Sequence, residues 1–139
     1  GTGASTAGDA RTNLGLVIET DVAAYNADAL FADVSDNLTV GFTATENDVG
    51  DTGTTTITLD ATTANFWKAV NGGAHTLTPQ TATSTIVLYY LNAADAGAVT
   101  TSGYDIVTGD SLTTTNTEEF MLYSTTNNGK QHLHVVALQ

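Results

Sequence analysis

From Asn37 onward the chain alternates β-branched, apolar and polar residues, and each such run stops at a turn signal. This pattern limits the fold more than any other feature. The runs occupy 38–44, 54–59, 65–70, 75–78, 84–91, 98–100, 105–107, 119–124 and 131–137. Between them lie 50–53, Asn71-Gly72-Gly73, Pro79, 92–97, Gly103, Gly109 and Asn127-Asn128-Gly129. A period of two sends successive side chains to opposite faces of a strand. Thr, Val, Ile and aromatic residues suit a pleated, half-buried surface, and Gly and Asn supply turns with φ > 0. Short strands at this spacing predict an all-β fold, an antiparallel β-sandwich of jelly-roll type. No internal repeat of fixed period is visible, so a solenoid is not expected.

The same alternation nominates a core. Ile86-Val87-Leu88-Tyr89-Tyr90-Leu91 is the most continuous apolar run. It reads as a central strand buried on both faces, or on one face and a subunit interface. Val99, Ile106, Phe120, Leu122, Leu133 and Val135 are expected beside it. In 54–59, Thr alternates with apolar residues, so one face is wet and hydroxyl-bearing while the other enters the core. Phe66 and Trp67 point to opposite faces, so one of them lies outside the subunit core.

Charge sets the partners. The chain has 139 residues, 3 Lys or Arg against 15 Asp or Glu, a net charge of −12 and a pI near 4.1. That field repels a nucleic-acid backbone and anionic lipid, so neither nucleic acid nor membrane insertion is expected. Cations and neutral polar surfaces such as glycans remain. With no Cys there is no disulfide, thiol nucleophile or iron–sulfur site. No apolar run is long enough to span a bilayer. The chain begins Gly1-Thr2-Gly3 without Met, which reads as a C-terminal piece of a longer protein or as a secreted domain freed of its leader.

Residues 1–35 read differently, as a linker segment with short helices ahead of a β head at 36–139. Ser5 is the expected N-cap of a first helix holding Ala7, Ala10, Arg11 and Leu14, closed by Gly15. Leu16-Val17-Ile18 is extended, and a second turn from Thr20 or Asp21 carries Ala23, Ala24, Tyr25 and Leu30. Pieces this short need a neighbour to be stable in water.

Ser5-Thr6-Ala7, Ala10-Arg11-Thr12 and Leu14-Gly15-Leu16, followed by Thr20-Asp21-Val22 and Ala24-Tyr25, resemble the linker before the distal domain of tailed-bacteriophage tail fibres. The run from Asn65 to Leu77, the run from Ala96 to Tyr104 and the ending Val135-Val136-Ala137-Leu138-Gln139 are similar to C-terminal domains of such appendages. The resemblance implies a homotrimeric virion component, outside the cell, that contacts other virion proteins and a host surface glycan or protein. It implies no catalytic activity.

Few residues suggest chemistry. His132 and His134 are two apart on one strand and so share a face. The resemblance extends to fibre tips that hold iron with such pairs on a trimer axis, so His132 and His134 are the metal candidates. The bland alternative is a pair of half-exposed strand histidines. The acidic stretch 46–53 reads as a hairpin loop or a Ca²⁺ site without the full EF-hand spacing. Asp105, Asp110, Glu118 and Glu119 could supply a glycosidase pair, but fibre depolymerases resemble long parallel β-helices, and these residues read as turn carboxylates. No nucleophile elbow, phosphate loop or HExxH is present, and Ser111 and His75 have no triad spacing. For receptor contact the candidates are Trp67, Tyr104 and Asp105, an aromatic pair for stacking sugars and a carboxylate for hydroxyls. The expected function is therefore attachment of a virion to its host. Two alternatives stand beside it: a head-fibre or capsid decoration domain, and a cellular adhesin or surface-layer module.

Overall fold

The computed structural model describes residues 3, 5–15 and 44–138. The expected extension at 16–18, the turn at 20–30, the strand at 38–43 and the boundary at 35 lie outside them. Two units divide the chain, Gly1–Gly41 and Phe42–Gln139.

In the first unit, α1 spans Ala7–Asn13. Its cap is Thr6, one residue later than expected. The Thr6 hydroxyl accepts the Asp9 N–H at 3.1 Å and donates to the Asp9 carboxylate at 2.7 Å. That reciprocal pair satisfies a free donor of the first turn and puts a negative charge at the positive end of the helix. Gly15 follows with φ +69°, the closing conformation expected of it.

The second unit holds nine described strands: β1 (Asn47–Asp51), β2 (Ile57–Thr58), β3 (Phe66–Asn71), β4 (His75–Thr78), β5 (Ser84–Asn92), β6 (Val99–Thr101), β7 (Ile106–Gly109), β8 (Glu119–Asn127) and β9 (Lys130–Leu138). They form two sheets, one ordered β1-β3-β5-β8-β9-β7 and one ordered β2-β4-β6. As far as β6 the chain passes from one sheet to the other and back. Odd strands therefore stack in the large sheet and even strands in the small one, all parallel. Each round trip is one turn of a winding. Asn47 pairs with Trp67 and Ile57 with Leu77, each 20 positions on, while His75 pairs with Val99, 24 positions on.

The winding ends in a hairpin. β8 and β9 are antiparallel and joined by Asn128 (φ 50°) and Gly129 (φ 70°). Two positive φ values in a two-residue loop match the twist of the flanking strands. β8 also adds antiparallel to β5, and β7 adds parallel to β9.

The chain is thus mainly β, as expected, but the ladders are mixed. The expected antiparallel pairing is found only along β5–β8–β9. As far as β6 a strand reaches its neighbour after a full turn, travelling the same way, and such a crossover yields a parallel pair. The winding is present without a sequence repeat of fixed period. Its period escapes notice because the turns differ in length and stacked residues differ in type, as with Asn47, Trp67 and Leu88.

One buried cluster joins the inner sides of both sheets. Ile57 and Leu77 come from the small sheet, while Ile86, Leu88, Tyr90, Phe120, Leu122, Leu133 and Val135 come from the large one. The run 86–91 alternates as a strand with one buried face: Ile86, Leu88 and Tyr90 are buried, while Val87, Tyr89 and Leu91 are half-buried on the outer side. Ile106 departs from expectation at 52% exposure, because it pairs with outward-facing His132 on the edge strand β7. β1 lies in the acidic stretch expected as a hairpin loop or a Ca²⁺ site. It is a strand because the edge of β3 offers a parallel partner and Lys68 holds Asp48 at 2.8 Å.

Candidate functional site

The expected receptor residues occupy structural posts. Trp67 is buried at 7% exposure, and its indole N–H donates to the Ala64 carbonyl at 2.8 Å. Alternation on β3 sends Phe66 outward instead, at 40% exposure. The larger ring goes inward because it fills more core and finds a partner for its N–H. Tyr104 donates its hydroxyl to Ser124 Oγ at 3.1 Å, and Ser124 donates to Gln80 Oε1 at 3.2 Å. Burial pushes the Tyr104 phenol up to about 12. Asp105 accepts the Gln131 N–H at 2.9 Å and Lys130 Nζ at 3.2 Å, and these contacts hold its carboxyl below the usual range. It fastens the start of β7 to β9. Trp67 thus stands in the core rather than at the surface, and Tyr104 and Asp105 spend their polar atoms inside the chain.

The other carboxylates are similarly engaged. Asp110 accepts the Ala137 N–H at 2.8 Å, and Glu118 accepts the Thr113 hydroxyl.

His132 and His134 do share a face, 6.5 Å apart between ring centroids. Thr108 on β7 lies between them. Its hydroxyl is 2.8 Å from His132 Nε2 and 3.0 Å from His134 Nδ1. One hydroxyl can donate to one ring and accept from the other, which engages one nitrogen of each imidazole. Among the described residues no group of three or more His, Cys, Asp or Glu side chains is placed to hold an ion.

Two surfaces that single residues did not reveal emerge from the register. The outer side of the small sheet carries Thr58 beside Thr78 and Thr76 beside Thr100. Thr78 donates to Thr58 Oγ1 at 3.0 Å. Strand spacing of about 4.8 Å and an i, i+2 repeat of roughly 6.5 Å arrange these hydroxyls as a grid. A cleft of about 280 Å³, lined by Thr58, Asp60, Thr62, Pro79 and Thr81, opens at one end. The signal was present in the sequence: Thr56-Ile57-Thr58 recurs as Thr76-Leu77-Thr78, 20 residues on.

The outer side of the large sheet mixes apolar residues with charged and polar ones. One row across it runs Phe66, Val87, Tyr123, His134, Thr108. The next runs Asp48, Lys68, Tyr89, Met121, Val136, and a third runs Asp51, Val70, Leu91, Glu119, Leu138. Tyr123 is 40% and Leu138 39% exposed. Lys68 is paired with Asp48 at 2.8 Å and Glu46 at 3.7 Å.

No family model matches the chain, and the comparisons with curated proteins and with solved structures found no match. Among the described residues no helix is long and apolar enough to cross a membrane.

Proposed function

We propose that this chain is the non-catalytic distal head of a bacteriophage tail fibre or related virion appendage, a homotrimer whose facing sheets form a β-sandwich and which attaches the virion to a neutral glycan on its host. The threonine grid on the small sheet carries this reading. On a chain of net charge −12, the strand residues Thr58, Thr76, Thr78 and Thr100 present hydroxyls and methyls but no charge. A polyanion is repelled by the surrounding carboxylates. A neutral polysaccharide instead offers hydroxyls that donate and accept, with C–H surfaces that lie against methyls. Contact with so few hydroxyls is weak in one head, and several heads on one virion raise it through effective concentration.

Retention of the protein on columns of immobilised dextran, amylose and mannan, with heparin as the polyanionic control, tests this reading. Retardation on a neutral polymer that Thr76→Glu and Thr100→Glu abolish is the expected result. Passage through every neutral column, or retention on heparin alone, defeats it.

A further inference from the structure

We infer that Asn128 is a site of spontaneous covalent modification, deamidation through a succinimide, and that the fold withholds the same chemistry from Asn71. This goes beyond the fibre-head reading and does not depend on it.

The sequence holds two Asn-Gly pairs, Asn71-Gly72 and Asn128-Gly129. In such a pair the glycine nitrogen can attack the side-chain carbonyl carbon of the asparagine, because the glycine has no side chain to crowd the approach. The glycine N–H gives its proton to a solvent base, a bond forms from that nitrogen to Cγ, and the Cγ–Nδ2 bond breaks. Ammonia leaves, taking one proton from water. A water molecule then opens the five-membered ring at either carbonyl and leaves aspartate or isoaspartate. No oxidation or reduction is involved.

The two pairs stand in opposite surroundings. Asn71 is fully buried. Its Nδ2 donates to Asn92 Oδ1 at 2.9 Å and to the Gly97 carbonyl at 3.0 Å, and its Oδ1 accepts the Gly97 N–H at 3.1 Å. Attack by Gly72 would break these bonds inside the core. The Asp51 carboxylate also sits where a Gly72 side chain would begin, and its charge opposes ionisation of a nearby N–H.

Asn128 and Gly129 instead form the exposed two-residue tip of the β8–β9 hairpin. Among the described residues neither the Asn128 side chain nor the Gly129 N–H has a hydrogen-bond partner. Nothing lies within 4 Å of where a Gly129 Cβ would stand. Attack requires the turn to leave its positive φ values, and opening the terminal Asn127–Lys130 pair is enough for that. Such local opening is far easier than opening the core around Asn71. Isoaspartate then lengthens the main chain by one carbon, which the tight turn does not accommodate. The change falls beside Lys130 and Gln131, which hold Asp105.

Incubation of the full chain at mildly alkaline pH, with and without urea, tests this, followed by cleavage at Glu118 and Glu119 and mass spectrometry. The cleavage puts Asn71 and Asn128 on different peptides. Without urea the Asn128 peptide is expected to gain about one dalton at least about tenfold faster than the Asn71 peptide, and in urea the two rates should converge. Asn128→Gly keeps a residue at ease with positive φ and should abolish the gain in its peptide. An Asn71 rate equal to or above that of Asn128 in the folded protein overturns the inference. So does the absence of any gain in the Asn128 peptide, a gain that survives Asn128→Gly, or rates as far apart in urea as without it.

Discussion

Asn71 and Asn92 stand side by side on neighbouring turns of the winding, and the Asn71 amide donates to Asn92 Oδ1 at 2.9 Å with both side chains fully buried. The same two residues reach beyond each other. Asn71 also donates to the Gly97 carbonyl and accepts the Gly97 N–H, and Asn92 donates to the carbonyls of Thr113 and Thr115. They join two strands to the loops that close the turns. Asn71→Ala therefore strands several buried partners at once, each loss worth about 1–3 kcal/mol. Urea unfolding should give a midpoint well below that of the wild type. An unchanged midpoint would remove the pair from the account of stability.

His75 and Tyr90 form a second buried pair. The Gly73 carbonyl, 2.8 Å from His75 Nδ1, can only accept, so Nδ1 carries the proton and Nε2 accepts from the Tyr90 hydroxyl at 2.7 Å. Tyr90→Phe keeps the ring in the core and leaves Nε2 without its donor. A loss of about 1–3 kcal/mol is expected, measured by chemical denaturation. Tyr123→Phe on the outer face should cost much less.

Alkali should unfold the protein through its buried phenols. Burial raises Tyr104 to about 12 from an ordinary 10.0, and raises Tyr90 as well. A phenol whose folded value is raised is protonated in both states below the unfolded value, so its stabilisation is intact there. The unfolded chain gives up the proton first as pH climbs, and stability falls between about 10 and about 12. Tyrosinate absorbance and unfolding should rise together in that window, and Tyr104→Phe should flatten the slope. Titration of all tyrosines near 10 in the folded protein would contradict the burial.

On the acid side Asp105 has the opposite sign. The Gln131 N–H and Lys130 hold its carboxyl low, so its contribution is present above the usual carboxylate value and is lost as pH falls through the folded one. Asp105→Asn should lower the thermal midpoint at neutral pH and narrow the gap between variant and wild type below about pH 4. Melting curves across that range decide it.

Gly109 closes β7 at φ +90°, and a Cβ there would collide with the Val135 carbonyl. Gly109→Ala meets both the left-handed strain and the clash. Strain alone costs about 1–3 kcal/mol, and the β7–β9 pairing, with Thr108 between the two histidines, should loosen. Faster amide exchange in β7 than in β5 would report this.

Local patterns were enough to read the β character, the bounds of β4, the central apolar strand at 86–91, and the turn at Asn127–Gly129. Each depends on neighbours a few positions apart, because the pleat and the turn are local geometry. Alternation also said that Phe66 and Trp67 part company, but not which one enters the core. The candidate sites were less legible. Tyr104 and Asp105 looked like loop residues free to bind, and they are fastened to Ser124, Gln131 and Lys130, which lie 20 or more positions away.

The sequence by itself determined where most of the strands lie and which side chains share a face, since a period of two is written residue by residue. Only the tertiary structure decided which strands are neighbours. A parallel partner here lies about 20 positions off, across a turn of the winding, and no short-range pattern names it. Thr58, Thr76, Thr78 and Thr100 become one grid, and Phe66, Val87 and Tyr123 one row, only when distant strands are placed side by side.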